Sequence, residues 1–399
     1  MSDQTGSAIS GVSDYVPAKG EHVEYWWLQA HLARQAIADA GLHRKDIDGV
    51  VFTRSGYWQS KPVFPSTFCE HLGISPAWME LAPHGGAAMA SAIWRASGAI
   101  RSGLANVVLV MSADNRQTRL QRSGVVSRIA DQNMDPEFES PHGPLFASNF
   151  ALMAHRYMHE HSVKHEAFAE VAVSTRRWAS LHPAARMRTP LTVADVLDSR
   201  PITSPLNLLD ICLVTDGGAA VVMMRSDRAA DAPHPPVHLL GFGDVAESQT
   251  ITGLSDLVGP ALYRLAADRA FRMAGIGPPD VDVVYPYDPS TSFALWGMEQ
   301  MGFAEPGAGA ELFSGGATAP GGRLPVNTHG GLLSYAHPGV PGAMLAVVEA
   351  VRQLRGEAGE RQVPGAQVAA ASSMGGFMAI AVNLFGTSPA HRSTEQEAG

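Results

Sequence analysis

One local pattern occurs twice in this chain. Residues 36–53 read AIADAGLHRKDIDGVVFT and residues 270–287 read AFRMAGIGPPDVDVVYPY. Each runs from a helical pattern through an Ala-Gly stop and an Asp-x-Asp turn into a short β-branched run. Ala40-Gly41 matches Ala274-Gly275, and Asp46 and Asp48 match Asp280 and Asp282. A glycine just after the last periodic residue is the usual cap of a helix C-terminus. A repeated helix–strand unit limits the chain to an α/β architecture built from two related halves.

Further elements extend the duplication. Residues 87–103 (AAMASAIWRASGAIRSG) read as a helix rich in small side chains, and the apolar strand 106–111 (NVVLVM) follows. Residues 343–354 (AMLAVVEAVRQL) and 367–371 (QVAAA) are the counterparts in the second half. Two such halves packed back to back predict a five-layered αβαβα body. The first half takes residues 1–113 and 201–229, where the run 217–224 (GGAAVVMM) returns to the sheet. The second takes 237–385, after a Pro-rich bridge at 230–236 (ADAPHPP). Residues 114–200 are rich in Arg, His and Met and poor in strand-like runs. They read as an inserted loop domain, with a Pro-Gly turn leading into a helix within 141–163. An insertion of this length usually carries function rather than packing. The polar tail, 386–399, is expected to be disordered.

Composition excludes several classes. The formal charge is −9 and Lys and Arg are scattered, which argues against nucleic acid. The two cysteines, Cys69 and Cys212, lie far apart and match no metal spacing. No metal site is expected. Nothing at the N-terminus resembles a signal peptide, and no window reads as a membrane span. A cytoplasmic protein is expected.

The duplicated halves, the insertion and the segment NTHGGLLSYAHPGVPG (327–342) resemble the thiolase superfamily, most of all its sterol-carrier/lipid-transfer branch. Thiolases carry N-x-x-G-G followed by G-H-P at this place. Asn327, Gly330, Gly331, His337 and Pro338 match that pattern, with Ala336 replacing the usual glycine. TDGGAA at 215–220 resembles the segment that closes the first half. The resemblance implies a duplicated thiolase fold and acyl-CoA substrates. Coenzyme A is then part of the substrate, and no cofactor is tightly bound. It also implies a homodimer formed through an edge strand of the first half; the strand 106–111 is apolar enough to be paired on its edge. A small zinc-ribbon/OB-fold partner protein is a further implied partner.

The departures carry more information. A thiolase places its nucleophilic cysteine at the start of the small-residue helix. Here that place reads Pro83-His84-Gly85-Gly86-Ala87-Ala88, so Gly86, or with a small gap His84, replaces it. The second family cysteine precedes a C-terminal Gly-Gly. Here Ser373 stands there, before Met374-Gly375-Gly376. Cys212 lies in the apolar run LLDICLV and reads as a core residue, since a thiol packs as a small hydrophobe.

Without a thiolate there is no acyl-enzyme. Backbone N–H groups at Gly85 and Gly86 would still face a developing oxyanion. That remainder suits retro-aldol cleavage of a β-hydroxyacyl-CoA with a bulky hydrophobic chain, as in the steroid side-chain aldolases of this branch, which use pocket tyrosines. Tyr287 and Tyr335 stand at pocket positions of the family, and His337 is the expected base or oxyanion donor. His84 is a further candidate, Tyr285 a weaker one, and Asp288 an orienter of Tyr287 or of a neighbouring His. A tyrosine base needs a cation or donor nearby, because its ordinary pKa is about 10. Each has a plain alternative: a packed Tyr with a satisfied hydroxyl, a structural His, an Asn327 that holds its loop. Arg116, Arg119 and Arg122 would suit phosphates but read more simply as a solvated face. Tyr25, Trp26 and Trp27 are left open between substrate, partner and core. Two other readings remain: an acyltransferase or degradative thiolase using an atypical residue such as Ser373, and a non-catalytic acyl-CoA binding subunit. Cys69 or Cys212 found in the cavity beside His337 would end the aldol reading and bring back ordinary acyl transfer.

Overall fold

The computed structural model describes residues 6–53, 64–82, 85–259 and 262–389. His84 and the tail beyond residue 389 lie outside the described residues, as does the side chain of Arg122. The first half runs through β1 (Ser7–Tyr15), α1 (Tyr25–Asp39), β2 (Gly49–Thr53), α2 (Phe64–Leu72), β3 (Trp78–Ala82), α3 (Ala88–Arg101) and β4 (Val107–Asp114). Helices α4 (Arg116–Asn133), α5 (Phe146–His161), α6 (His165–Leu181) and α7 (Val193–Leu197) follow. A small ribbon, β5 (Pro201–Thr203) with β6 (Leu206–Asn207), leads to β7 (Gly217–Arg225) and α8 (Ser226–Ala229). The second half comprises β8 (Val237–Ala246), α9 (Leu262–Ala274), β9 (Val283–Tyr285), α10 (Thr291–Gln300), α11 (Gly309–Phe313), α12 (Gly342–Arg355), β10 (Val368–Gly375) and β11 (Ala379–Gly386).

Nine strands pair in the order β3-β2-β4-β7-β1-β8-β11-β10-β9. The two half-sheets meet only where Ala8 and Ile9 of β1 face His238 and Val237 of β8. Helix α3 packs against β2, β4 and β7 on one side and β10 and β11 on the other, while α12 likewise touches strands of both halves. Helix α1 covers the outer face of the first half-sheet and α9 that of the second. The layers are therefore α, β, α, β, α. Because both faces are covered, β4 is buried throughout and β7 nearly so, which is why they read as unbroken apolar runs.

The repeated aspartates explain the sequence repeat. The carboxylate of Asp46 accepts from the N–H of His43 at 2.8 Å, and that of Asp280 from Gly277 at 2.8 Å, closing equivalent turns. Asp48 accepts from the N–H groups of Asn106 and Val107, and Asp282 from those of Gln367 and Val368. Each second aspartate thus ties the start of one parallel strand to that of its neighbour. Gly41 and Gly275 both adopt positive φ, at 70° and 71°.

One expectation is corrected. The strand at 106–111 is not an edge: β4 pairs with β2 on one side and β7 on the other. The edges of the sheet are β3 and β9. A strand apolar on both faces belongs in the middle of a covered sheet, whereas β3 is half-exposed, with Met79 open to solvent.

A buried polar network crosses between β1, α12 and the turn before α12. Asp14 is held by Arg352 at 2.6 Å and by the hydroxyl of Tyr335, while Glu349 pairs with Arg361 at 2.9 Å. His182 packs on the Tyr335 ring at 4.3 Å, and His329 stands on its other side at 5.5 Å. Burial raises the Asp14 carboxyl, but Arg352 and Tyr335 outweigh it and hold the group below its ordinary value. Burial, with Arg361 nearby, pushes His182 down to about 4 and His329 to about 3. Unfolded imidazoles titrate near 6.5, so below that pH the unfolded chain binds more protons than the folded one. Stability should therefore fall between pH 6.5 and pH 4, by up to about 1.4 kcal/mol per pH unit for each buried imidazole. Thermal unfolding followed by circular dichroism checks this; a melting temperature that stays level across that window would contradict it.

Candidate active site

A cavity of about 780 Å³ lies between the helices of the 114–200 region and the ends of both half-sheets. Its roof carries the apolar side chains Leu120, Val125 and Ile129 from α4 and Phe146 and Phe150 from α5, with Arg128, Gln132 and Asn133 of α4 beside them. Its floor is polar and comes from four chain segments. These are the main chain of Gly85-Gly86 before α3, Tyr287 after β9, His337 before α12, and Met374-Gly375-Gly376 at the end of β10. Cys212 and Arg116 complete it.

Each segment is pinned by main-chain chemistry. The N–H of Tyr287 donates to Ser372 Oγ at 3.0 Å, fixing the loop to β10. The carboxylate of Asp288 accepts from the N–H groups of Leu332 and Leu333 at 2.8 and 3.3 Å. It thereby caps the single π-helical turn Gly331–Tyr335 that delivers His337. A Cβ on Gly331 would stand 2.0 Å from that carboxylate, and φ there is +59°, so only glycine fits. Asn327 donates its side-chain N–H to the Pro286 carbonyl at 3.2 Å. The retained family residues Asn327, Gly330 and Gly331 therefore shape the loop and do not line the cavity. Asp288 orients a backbone turn, not Tyr287 or an imidazole, and burial pushes its carboxyl up to about 8.

Tyr287 Oη lies 3.2 Å from His337 Nε2, and His337 Nδ1 lies 3.0 Å from Cys212 Sγ. One imidazole thus bridges a phenol and a thiol. Burial, and then the Arg116 guanidinium, hold His337 well below its ordinary value, so it is neutral near pH 7. A neutral imidazole donates at one nitrogen and accepts at the other, which suits a proton relay. Burial raises the Tyr287 phenol, with Cys212 adding to the rise and Arg116 opposing it.

Cys212 is the main correction to the sequence reading. It is only partly buried, lines the cavity and sits against His337. The segment around it is laid onto the His337 loop: Cys212 N–H donates to Pro289 O, Leu213 N–H to Leu332 O, and Thr215 N–H to His337 O, at 3.0–3.2 Å. An apolar run predicts burial but not which wall of a cavity a small side chain meets. Cys69, by contrast, is buried in the core of the first half. Arg116 is also displaced from its expected place on a solvated face. It lines the cavity and donates to the His337 carbonyl at 2.6 Å.

Two further candidates fall outside. The hydroxyl of Tyr335 donates to Asp14 in the buried network, and the residue does not line the cavity. Ser373 is buried, donates to Ala381 O at 3.5 Å, and does not line it either. Tyr285 is buried against Thr328. Tyr25 belongs to the core and Trp26 packs on His71, while Trp27 is exposed against Tyr15 and His31.

At Gly86 a side chain has no room. A Cβ there would lie 2.1 Å from the Met374 carbonyl oxygen and 3.4 Å from Tyr287 Oη. The end of β10 and the phenol occupy the space that a nucleophilic side chain would need.

Comparison with known proteins agrees with this geometry. The thiolase C-terminal domain-like family matches residues 243–385. An acetyl-CoA acetyltransferase of Methanothermobacter thermautotrophicus is 31% identical over 86% of this chain and 88% of its own. The chain belongs to the thiolase superfamily. Among other thiolase-like proteins, a steroid side-chain-cleaving aldolase of Thermomonospora curvata is 32% identical over 88% of this chain and 90% of its own. The solved structure of an Ltp2–ChsH2(DUF35) aldolase superimposes with a TM-score of 0.84 at 30% identity, covering 96% of this chain and 98% of that one. Among the described residues no group of His, Cys, Asp and Glu could hold a metal ion, and no helix is long and apolar enough to cross a membrane.

Overpacking at a close backbone contact typically costs ~1–3 kcal/mol. Gly86→Ala should lower stability by an amount of this order in urea unfolding. Gly86→Cys should suffer the same penalty and gain no acyl adduct when offered acetyl-CoA, as read by intact-protein mass spectrometry.

Proposed function

We propose that this chain is a C–C lyase that cleaves a β-hydroxyacyl-CoA carrying a bulky hydrophobic acyl chain, by retro-aldol chemistry. The observation that carries this reading is the closed Gly86 position next to an intact phenol–imidazole pair. Tyr287, backed by neutral His337, takes the proton of the β-hydroxyl. The Cα–Cβ bond then breaks to give a ketone or aldehyde and a thioester enolate. Main-chain N–H groups at Gly85-Gly86 and Gly375-Gly376, which line the cavity, would meet the enolate oxygen, and fixed donors of this kind contribute on the order of 100-fold to 1000-fold elsewhere. The apolar side chains of the roof suit a large hydrophobic chain. Likeness to two aldolases over nearly the whole chain supports the same reading.

Cys212 beside His337 is the arrangement that the sequence reading set against aldol chemistry, and it favours a second reading, acyl transfer; likeness to two aldolases is what keeps the lyase reading first. A thiol within hydrogen-bond reach of an imidazole has the geometry of an activated nucleophile. Against it, Cys212 sits in an extended loop rather than at a helix N-terminus, where backbone N–H groups would stabilise both thiolate and oxyanion. The acyltransferase likeness keeps this reading open to a direct test by mass spectrometry of trapped adducts. The Ltp2–ChsH2(DUF35) likeness supports a small DUF35-type partner, and the half-exposed edge of β3 supports a homodimer through that strand rather than through β4.

Loss of a general acid–base group typically costs ~100-fold to 10,000-fold. Tyr287→Phe should slow ketone release from a β-hydroxyacyl-CoA at least about tenfold. Tyr335→Phe should leave that rate within about threefold and instead lower stability by ~1–3 kcal/mol, the value of a buried hydrogen bond to a charged group. Release followed by gas chromatography, with urea unfolding in parallel, separates the two. Equal rates for Tyr287→Phe and the unsubstituted chain would end the assignment of Tyr287.

A further inference from the structure

Retro-aldol cleavage moves a proton twice: off the β-oxygen and onto the α-carbon. The lyase reading assigns the first transfer to Tyr287 and leaves the second without an owner. Ser373, at the place of the family's second cysteine, is turned away into the β10–β11 pair and does not reach the cavity. The cavity floor holds another proton carrier in a built position. Cys212 is fixed by main-chain hydrogen bonds at its own N–H and at the next residue, and its sulfur meets the nitrogen of His337 that Tyr287 does not use.

We infer that Cys212 is the acid that protonates the α-carbon of the thioester enolate, recharged by the proton that Tyr287 takes from the substrate and His337 passes on. The inference rests on the lyase reading. The atoms balance as follows. The β-hydroxyl proton moves to the Tyr287 oxygen while the phenol's own proton moves to His337 Nε2. The Nδ1 proton moves to a Cys212 thiolate, making the thiol. The O–H electron pair becomes the second C=O bond, the Cα–Cβ bond breaks, and its pair becomes the enolate. Cys212 then gives its proton to Cα, forming the C–H bond and restoring the thiolate. His337 ends the turnover with its proton on Nε2, and exchange with solvent returns it to Nδ1; no oxidant, reductant or net proton is consumed. Arg116 supplies the compensating charge: it lines the same cavity and is in electrostatic contact with both Cys212 and Tyr287. A relay through one imidazole also keeps the two transfers on separate groups, so the acid is regenerated at the carbon end while the phenol faces the departing carbonyl.

The relay predicts a crossover between two reactions of the full-length chain. The first is exchange of the methyl hydrogens of acetyl-CoA in deuterium oxide, read by mass spectrometry, which needs only the base at carbon. The second is cleavage of (1-hydroxycyclohexyl)acetyl-CoA to cyclohexanone and acetyl-CoA. Cys212→Ala should lower exchange on the order of 100-fold, the usual worth of an acid–base group. Cys212→Ser, which keeps the shape of the side chain, should show the same loss. Tyr287→Phe should lower cleavage by a larger factor than exchange, because the phenol serves the oxygen. Exchange by both Cys212 variants at the original rate overturns the inference. So does an acetyl adduct on Cys212, which would make the sulfur a nucleophile. If the unsubstituted chain exchanges but does not cleave, the lyase reading fails while Cys212 keeps its place as the group at carbon.

Discussion

The site depends on one close approach: the main chain at Gly86 against the carbonyl of Met374. These residues come from opposite halves of the duplication, one at the start of α3 and the other at the end of β10. With 2.1 Å between a would-be Cβ and the carbonyl oxygen, no side chain can stand there without moving a strand. The contact keeps the two half-sheets in register at the cavity floor. It also leaves the helix start as bare backbone, and it lets the Tyr287 hydroxyl come close to the vacated position. The phenol of Tyr287 thus lies 3.4 Å from where a side chain at Gly86 would begin.

The frame was readable in the sequence because its signals are local and repeated. Gly41 and Gly275 end their helices at the same φ, and Asp48 and Asp282 each accept two N–H groups from the neighbouring strand. Such short-range rules leave the same letters at the same spacing in both halves. The strand at 106–111 shows where local reading stops. Its apolar run marks it as a strand, yet whether it lies at an edge or in the interior depends on which strands flank it. Only the return of β7 after the 114–200 region decides that.

The site was legible in part, for a related reason. Tyr287, His337 and the Gly-Gly pairs at 85–86 and 375–376 occupy positions that a family pattern marks, and the cavity gathers them. Tyr335 and Ser373 carry equally strong marks and are elsewhere. Tyr335 ends the π-helical turn and His337 stands two residues beyond it, and one side chain meets Asp14 while the other meets Tyr287. Strand alternation sends Ser373 and Met374 to opposite faces of the sheet, and of the two only Met374 lines the cavity. Cys212 and Arg116 were read as core and as a solvated face, because a loop and a helix start far away in sequence bring them in. Their one signal was chemical: a thiol and a guanidinium in a chain otherwise short of reactive groups near the floor.

The cysteine beside His337 changes what the missing family cysteine means. A nucleophile must approach the thioester carbonyl with an oxyanion site behind it, whereas an acid for the enolate must approach the adjacent carbon. Those demands select different places on the same floor. The helix start at Gly85-Gly86 satisfies the first and holds no side chain; the 211–215 segment, pinned to the His337 loop, holds a thiol away from that helix start. Burial keeps the bridging imidazole neutral, and a cationic imidazole would have no lone pair with which to receive a proton from the phenol. The relay we infer needs His337 neutral, so that one ring nitrogen can accept while the other donates.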